Sequence, residues 1–311
     1  MLERGRSNGN VGADEAGLPI SDRRKEIMQK ILVTGALGQI GSELVPALRA
    51  RYGHDDVVAN DVRMMRKDDD LEGGPFEHVD CTKIQQLQDV VRRHDVGTIY
   101  HMAALLSAVA EEKPQAAWDV NMGGLYRVLE VARQCQCAVF LPSSIGAFGP
   151  TTPRDGAPQD TTQRPTTIYG VTKVASELLC DYYAARFGLG TRGLRFPGLI
   201  SYVAQPDGGT TDYAVDIFYQ AIRYRHYTCF LRSDTRLDMM YMPDAIRAAV
   251  ELMEADPARL QHRNFLNPNQ TLKNSDGIRH QGVNIWRNIR PLMWIKAALP
   301  SDQLTMLVNS V

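Results

Sequence analysis

Short apolar segments typical of β-strands alternate with segments of helical periodicity from residue 31 to about residue 200. The predicted strands are "ILVTG", "DVVAND", "GTIYHMAAL", "CAVFLPSS" and "TRGLRF". The predicted helices between them are "SELVPALRARYG", "IQQLQDVVRRH", "GGLYRVLEVARQC" and "TKVASELLCDYYAARFG". Because consecutive parallel strands are joined by right-handed helical crossovers, this alternation predicts an α/β fold with a doubly wound parallel sheet and helices on both faces. Pro46 lies inside the first helical pattern and predicts a kink or a position in an early turn.

The chain divides into three regions by composition. Residues 1–30 are polar and mixed in charge, which predicts a flexible tail, and their acidic residues are unusual for a mitochondrial transit peptide. Residues 31–200 carry the alternating pattern. Residues 201–311 contain two loop-to-helix segments, which predict a smaller substrate-binding lobe over the carboxyl ends of the strands.

The overall composition excludes several classes of partner. The 311 residues carry a formal net charge of −1, so there is no electrostatic reason to expect nucleic acid or an anionic membrane as a partner. No apolar run approaches the roughly 18 residues that span a bilayer. The five cysteines are an odd number, which favours a reducing compartment, the cytoplasm or alternatively the mitochondrial matrix. Cys135 and Cys137 lack a second ligand pair at metal-binding spacing, so we expect no metal.

Three glycines follow the first predicted strand in the segment "TGALGQIG". Gly35, Gly38 and Gly41 would let backbone N–H groups approach a pyrophosphate at the start of the next helix. The alternative is an ordinary glycine-rich turn. Asp61 ends the second strand, where a carboxylate binds ribose hydroxyls and favours NAD over NADP. Arg63 weakens that preference, and Asp61 could instead be a solvated charge.

Tyr169 and Lys173 are four positions apart at the start of the helical segment "IYGVTKVASELL". Four residues are about one turn, so both side chains are expected on one helix face. Such a pair is either a general acid/base with its electrostatic partner or two ordinary surface residues.

The glycine spacing together with Tyr169 and Lys173 resembles the extended branch of the short-chain dehydrogenase/reductase superfamily, which has a Rossmann fold. The resemblance implies catalytic roles for Tyr169, Lys173 and Ser144, the last in "SSIGAFG", with Ser143 beside it. Ser144 could instead only cap a loop at the strand end. The residues implied to bind the cofactor are Gly35, Leu37, Gly38, Gln39, Ile40, Gly41, Asp61, Asp80, Cys81, His101, Ala103, Ala104, Asn121, Tyr169, Lys173 and Pro197.

The implied chemistry is oxidation of an alcohol. The Lys173 ammonium and the positively charged nicotinamide ring both favour the Tyr169 phenolate, which then takes the proton of the substrate hydroxyl. Ser144 orients the substrate oxygen by a hydrogen bond and stabilises the developing carbonyl.

Four further segments resemble the short-chain type of NAD-dependent L-threonine 3-dehydrogenases: "HMAALLSAVAE", "LRFPGLIS", "GGTTDYAVDIFYQA" and "TRLDMMYMPDAI". This resemblance implies oxidation of L-threonine to 2-amino-3-oxobutyrate by a homodimer. It places Ser107, Thr210 and Thr211 at the substrate together with Ser144 and Tyr169, whereas Thr210 and Thr211 could instead cap a helix. Tyr213 and Asp216 follow and would help to position the loop.

The resemblance ends at about residue 264. The remaining segment contains no glutamate and has an excess of basic residues, and Asp238 stands where the family favours proline. Two alternatives therefore stay open. One is a nucleotide-sugar epimerase or dehydratase, with Arg236 at a phosphate, and the other is a catalytically impaired protein that binds a dinucleotide.

Overall fold

The computed structural model describes residues 29–67, 69–153, 157–204, 208–229, 237–257 and 260. A six-stranded, fully parallel sheet forms its centre, in the order β3-β2-β1-β4-β5-β6. The strands are β1 Lys30–Thr34, β2 Val57–Asp61, β3 Phe76–His78, β4 Val96–His101, β5 Ala138–Ser144 and β6 Thr191–Phe196. This order confirms the doubly wound α/β fold that the sequence predicts, because the strand order reverses between β1 and β4. The crevice for a ligand lies at that point.

Helices cover both faces of this sheet. They are α1 Gly41–Tyr52, α2 Ile84–Arg93, α3 Ser107–Glu112, α4 Pro114–Trp118, α5 Leu125–Cys135 and α6 Ile168–Phe187. A π-helical segment, Asp119–Gly124, joins α4 to α5, and single 3₁₀ turns span His54–Asp56 and Ile145–Ala147. The helix α1 continues through Pro46, which lies in its second turn.

Alternate residues of β1 enter two separate buried apolar clusters. Ile31 and Val33 pack with Leu44 of α1, whereas Leu32 packs with Leu87 of α2 and Leu125 of α5. Successive side chains of a strand point to opposite faces, so an apolar strand such as β1 requires a helical layer on each side.

The chain after β6 contributes to two places. The strands β7 Gly198–Ile200 and β8 Met239–Tyr241 form a separate parallel pair, and α7 Tyr213–Tyr224 lies between them in sequence. The last described helix, α8 Met242–Glu254, follows the expected boundary at residue 200 but shares a buried cluster with α1. Among the described residues, no helix is long and apolar enough to cross a membrane. The expected tail up to residue 28 and the divergent segment after about residue 264 lie outside the described residues.

Candidate active site

The glycine loop after β1 approaches the end of β4 more closely than any side chain would permit. Gly35 has φ +70°, and a Cβ atom there would lie 2.6 Å from the backbone nitrogen of Ala103. A Cβ atom on Gly41 would collide with the carbonyl oxygen of Gly35, and one on Gly38 would lie 3.2 Å from the same oxygen. Glycine at these positions creates a backbone cradle at the start of α1, which fits a dinucleotide pyrophosphate.

Asp61 holds the glycine loop and Arg63 at the end of β2. Its Oδ2 atom accepts a hydrogen bond from the Leu37 N–H at 3.0 Å, and its Oδ1 atom accepts one from the Arg63 N–H at 2.9 Å. The Arg63 guanidinium is more than half exposed and lies 3.3 Å from the same oxygen. The carboxylate therefore lies beside the glycine loop, as the assignment of Asp61 to the ribose requires.

Asp80 and Cys81 follow β3. The Asp80 carboxylate accepts hydrogen bonds from the N–H and the hydroxyl of Thr82, at 2.8 Å and 2.7 Å. Burial, and to a lesser extent the charge of Asp80, raise the pKa of the Cys81 thiol to about 11. The thiol is therefore neutral at pH 7 and its sulfur packs towards Gly124.

The His101 side chain, expected at the nicotinamide ribose, is buried and hydrogen-bonded to β1. Its ring is 2% exposed, and Nδ1 lies 2.8 Å from the Thr34 hydroxyl. Burial, and secondarily the Lys173 ammonium, lower the pKa of His101 to about 3. The imidazole is therefore neutral at pH 7, and its Nδ1 atom is paired within the protein.

The Asn121 amide, which the resemblance places at the cofactor, forms hydrogen bonds within the protein. Its Oδ1 atom accepts from the Leu105 N–H at 2.8 Å, and its Nδ2 atom donates to the Leu105 carbonyl at 3.1 Å. Nδ2 also lies 3.4 Å from the hydroxyl of Thr172 on α6. The π-helical segment thereby connects the loop after β4 to the helix that carries Tyr169 and Lys173. Such π-helical segments occur frequently at functional sites.

The remaining residues expected at the cofactor lie in the glycine loop or directly after β4 and β6. Ala103 contacts Gly35, and Ala104 follows it in the loop after β4. Gln39 and Ile40 complete the glycine loop, and Pro197 is buried between β6 and β7.

Tyr169 and Lys173 lie at the beginning of α6. The N-cap residue Thr167 accepts a hydrogen bond from the Gly170 N–H at 3.1 Å, which defines where this helix starts. The Lys173 Nζ atom is 5.3 Å from the centre of the Tyr169 ring and donates to the Pro142 carbonyl at 2.7 Å. The ammonium is buried, so its charge acts on the phenol through protein more than through water.

Gly146, in the turn after β5, brings Ser144 and Tyr169 to one place. A Cβ atom on Gly146 would lie 3.2 Å from two ring carbons of Tyr169 and 3.3 Å from the Ser144 hydroxyl oxygen. The same hydroxyl accepts a hydrogen bond from the Gly146 N–H at 3.0 Å. A Cβ atom on Gly170 would collide with the Gly146 carbonyl, so this turn and α6 are in close backbone contact.

Ser143, which was expected beside Ser144 among the catalytic residues, bonds instead to a carboxylate of α6. Its buried hydroxyl donates to the Glu177 carboxylate of α6, on the opposite face of β5 from Ser144. Glu177 in turn forms a buried ion pair with Arg195 of β6. Sequence reasoning missed Gly146, Glu177 and Arg195. The spacing of Glu177, four residues after Lys173, was the available signal.

The residues expected at the substrate lie where α3 meets the loop before α7. The Ser107 hydroxyl accepts a hydrogen bond from the Thr210 N–H at 3.1 Å, and Thr211 packs against Gly198. The helix α7 begins at Tyr213 with Asp212 at its N-cap position, so neither threonine caps it. Asp216 lies in the first turn of α7. Arg236 lies outside the described residues.

The sequence profile of the NAD dependent epimerase/dehydratase family matches residues 31–265. The chain belongs to this family. An uncharacterized epimerase/dehydratase of Staphylococcus saprophyticus is 55% identical over 77% of this chain and 75% of its own length.

Solved structures of L-threonine dehydrogenases are similar to this epimerase/dehydratase family member. That of Clostridium difficile is 54% identical, with a TM-score of 0.74 over 77% of this chain and 75% of that chain. A monomeric L-threonine 3-dehydrogenase from a metagenome is 44% identical, with a TM-score of 0.73 over 76% of each chain. The resemblance to extended short-chain dehydrogenases is confirmed, and this family member is an NAD-dependent oxidoreductase.

Proposed function

We propose that this protein oxidises L-threonine at its β-hydroxyl to 2-amino-3-oxobutyrate, with NAD as the hydride acceptor. The observation that carries the proposal is the convergence of Ser144 and Tyr169 on Gly146, with the Lys173 ammonium beside the Tyr169 ring. The similarity to structures named L-threonine dehydrogenases supports the choice of substrate.

The side chains around Gly146 have separate roles in moving the substrate proton and stabilising charge. NAD, when bound, supplies the acceptor for the hydride that leaves the β-carbon of the substrate. Tyr169 removes the proton of the substrate hydroxyl, and the Lys173 ammonium stabilises the negative charge on the phenol oxygen. The Ser144 oxygen already accepts the Gly146 N–H, so its own proton is available to the substrate oxygen as the carbonyl forms.

The loop before α7 supplies polar groups for a small zwitterion. The Ser107 oxygen accepts the Thr210 N–H, so the Ser107 hydroxyl proton can be donated to a substrate carboxylate. The Thr210 side chain is exposed beside it. This placement supports Ser107, Thr210 and Thr211 as substrate-binding residues.

The test is the appearance of NADH absorbance when purified protein is mixed with L-threonine and NAD. We expect Tyr169→Phe to lower kcat by about 10²- to 10⁴-fold, the usual contribution of a general acid/base. D-threonine and L-serine serve as substrate controls. Folded wild-type protein that produces no NADH above the blank would contradict the proposal.

A nucleotide-sugar epimerase or dehydratase is the second candidate, because the Staphylococcus relative is named an uncharacterized epimerase/dehydratase, although that name specifies no substrate. It predicts that UDP- or dTDP-sugars raise the melting temperature, and no such shift would eliminate it. A protein that binds NAD by calorimetry but turns over no hydroxy-amino acid would instead be the impaired form.

We also propose that the protein forms a homodimer through α6 and the neighbouring α4–α5 segment. Apolar side chains recur on the outer face of α6, where Leu178 is 63% and Tyr182 is 54% exposed. Trp118 and Tyr126 are exposed on the neighbouring segment. Exposed apolar stripes of this kind mark interfaces.

Light scattering after size exclusion should give twice the chain mass, and Leu178→Arg should reduce it to one chain mass. A wild-type protein of one chain mass would contradict this proposal.

The state of the cysteines supports the proposed cytoplasmic location. All five are free, and Cys81, Cys137 and Cys180 are buried. Free, buried thiols are typical of proteins in reducing compartments.

A further inference from the structure

Glu177 and Arg195 form a buried ion pair with two parallel hydrogen bonds between α6 and β6. The Arg195 Nε atom is 2.9 Å from Glu177 Oε1, and Nη2 is 2.8 Å from Oε2. The two side chains are 3% and 7% exposed. Removing two charges from water costs free energy. Replacing a buried ion pair with apolar residues of similar volume therefore often leaves the stability of a protein unchanged or raises it. The location of this pair, one helical turn after Lys173, therefore calls for an explanation other than stability.

The other contacts of the pair reach the loop that connects the two catalytic groups. Ser144 immediately precedes this loop, residues 145–167, and Tyr169 follows it at the start of α6. Arg195 Nη1 donates to the Gln159 carbonyl at 3.0 Å, and the Gln163 amide donates to Glu177 Oε2 at 3.0 Å.

Two further contacts attach the start of the loop to the same pair. The Arg195 guanidinium lies 5.6 Å from the centre of the Phe148 ring, within the range of a cation–π interaction. The Ser143 hydroxyl, one residue before Ser144, donates to the Glu177 carboxylate. The ion pair thus contacts the strand end, the first limb of the loop and its returning limb.

The described residues of this loop, 145–153 and 157–167, have little regular structure to fix their position. They contain one 3₁₀ turn, Ile145–Ala147. The two limbs are joined by the Thr152 hydroxyl, which accepts the Gly149 N–H at 3.1 Å and donates to the Thr162 carbonyl at 2.8 Å. Since the two limbs are joined, anchors at Phe148 and Gln163 restrain both described limbs together. A loop of this length otherwise has high conformational entropy.

We propose that Glu177 and Arg195 are positioning residues, which hold the two described limbs of the loop, 145–153 and 157–167. They thereby keep the Ser144 hydroxyl and the Tyr169 phenol in fixed positions on either side of Gly146. Neither side chain touches the reacting atoms, and both act through Ser143, Phe148 and the loop. The kinetic consequence of this inference rests on the proposed function, whereas its structural consequence does not.

The test uses the full chain with two variants of the pair and one matched control. Arg195→Met removes the guanidinium, and Glu177→Gln keeps the side-chain volume and one acceptor oxygen, which guards against a variant that fails to fold. Leu87→Ala is the control, because Leu87 is fully buried in α2 and belongs to the apolar cluster on one face of the sheet. It lowers the melting temperature without touching the loop.

Three readouts are compared: turnover, NAD affinity and amide hydrogen exchange. We expect both pair variants to lower kcat at saturating substrates about 10- to 100-fold, the effect of misplacing catalytic groups by up to an ångström. The NAD dissociation constant should stay within about twofold, since the glycine loop is not altered. Amides in residues 145–153 and 157–167 should exchange at least about tenfold faster than in the wild type. The Leu87→Ala variant should keep both kcat and the loop protection.

A folded Arg195→Met or Glu177→Gln variant with wild-type loop protection, and with kcat lowered no more than in Leu87→Ala, would overturn the inference. A parallel loss of NAD affinity would also overturn it, since that result indicates general damage. If the wild type does not oxidise L-threonine, the proposed function fails, and the exchange measurement alone then decides the positioning role.

Discussion

Substituting Gly146 with alanine tests the proposed convergence of the catalytic groups directly. The new methyl group would lie 3.2 Å from Tyr169 ring carbons and 3.3 Å from the Ser144 oxygen. Favourable contacts between carbon atoms lie at about 3.5–4.0 Å, so the ring has to move by a few tenths of an ångström. The methyl group therefore separates Tyr169 from Ser144 without removing either functional group.

The size of the effect follows from that displacement. A misplacement of about 1 Å costs roughly 10²-fold in rate, so a few tenths should lower kcat about tenfold, or raise the barrier by about 1.4 kcal/mol. The free energy of unfolding should change by less than about 1 kcal/mol, because alanine reduces the entropy of the unfolded chain while the crowding opposes it.

The assay is initial NADH formation at saturating L-threonine and NAD, with urea unfolding measured in parallel. Gly190→Ala is the matched control, since its methyl group would meet Ala138 at 3.6 Å, an ordinary contact at the start of β6. The reasoning is refuted if Gly146→Ala retains a kcat within about twofold of Gly190→Ala.

Three further substitutions probe the sheet and the cofactor crevice. Gly35→Ala should abolish NAD binding in calorimetry, because the methyl group would meet the Ala103 nitrogen at 2.6 Å. Gly188→Ala is the control, since Gly188 has φ +68° but its methyl group would lie in open space. This control should lower the unfolding free energy by about 1 kcal/mol and leave NAD binding intact. His101 stays neutral when folded but is protonated below about pH 6.5 when unfolded, so the wild type should lose stability as pH falls. The gap in unfolding free energy between wild type and His101→Gln should narrow by about 2 kcal/mol from pH 7 to pH 5 in urea titrations, and a constant gap would contradict the buried neutral ring. Arg49→Met should lower the unfolding free energy by about 2–4 kcal/mol, since three carbonyl oxygens lose a buried donor, and a urea midpoint equal to that of the wild type would argue against this role.

The sequence predicts those parts of the fold whose side-chain pattern is strong. All five apolar strands are present, and the crossovers between them define the sheet. The side-chain pattern does not show the strand β3, which only the resemblance implies before Asp80. Phe76–His78 is a three-residue edge strand that is partly exposed and carries no apolar alternation. The sequence pattern also did not predict the helix α3, which begins at Ser107. The apolar run "GTIYHMAAL" was read as one strand, although β4 ends at His101.

In the candidate site, too, local spacing predicts some residues and not others. Spacing predicted Gly35, Gly41 and the adjacency of Tyr169 and Lys173, because these depend on one turn or one helix. The roles of Ser143 and Ser144 could not be separated, since the face that each residue occupies depends on how β5 is covered by α6. The burial of charged partners depends likewise on contacts between elements far apart in sequence, which no local pattern contains.

Arg192 of β6 carries a consequence for the chain beyond it. Its guanidinium donates to the carbonyl oxygens of Leu252, Met253 and Ala255, the last two at 2.9 Å and 2.7 Å. The final carbonyls of a helix need partners from elsewhere, and here a strand that precedes α8 in sequence supplies them. These three carbonyl oxygens of α8 and its C-cap therefore find their donor in the central sheet, and they need none from the chain after Ala255.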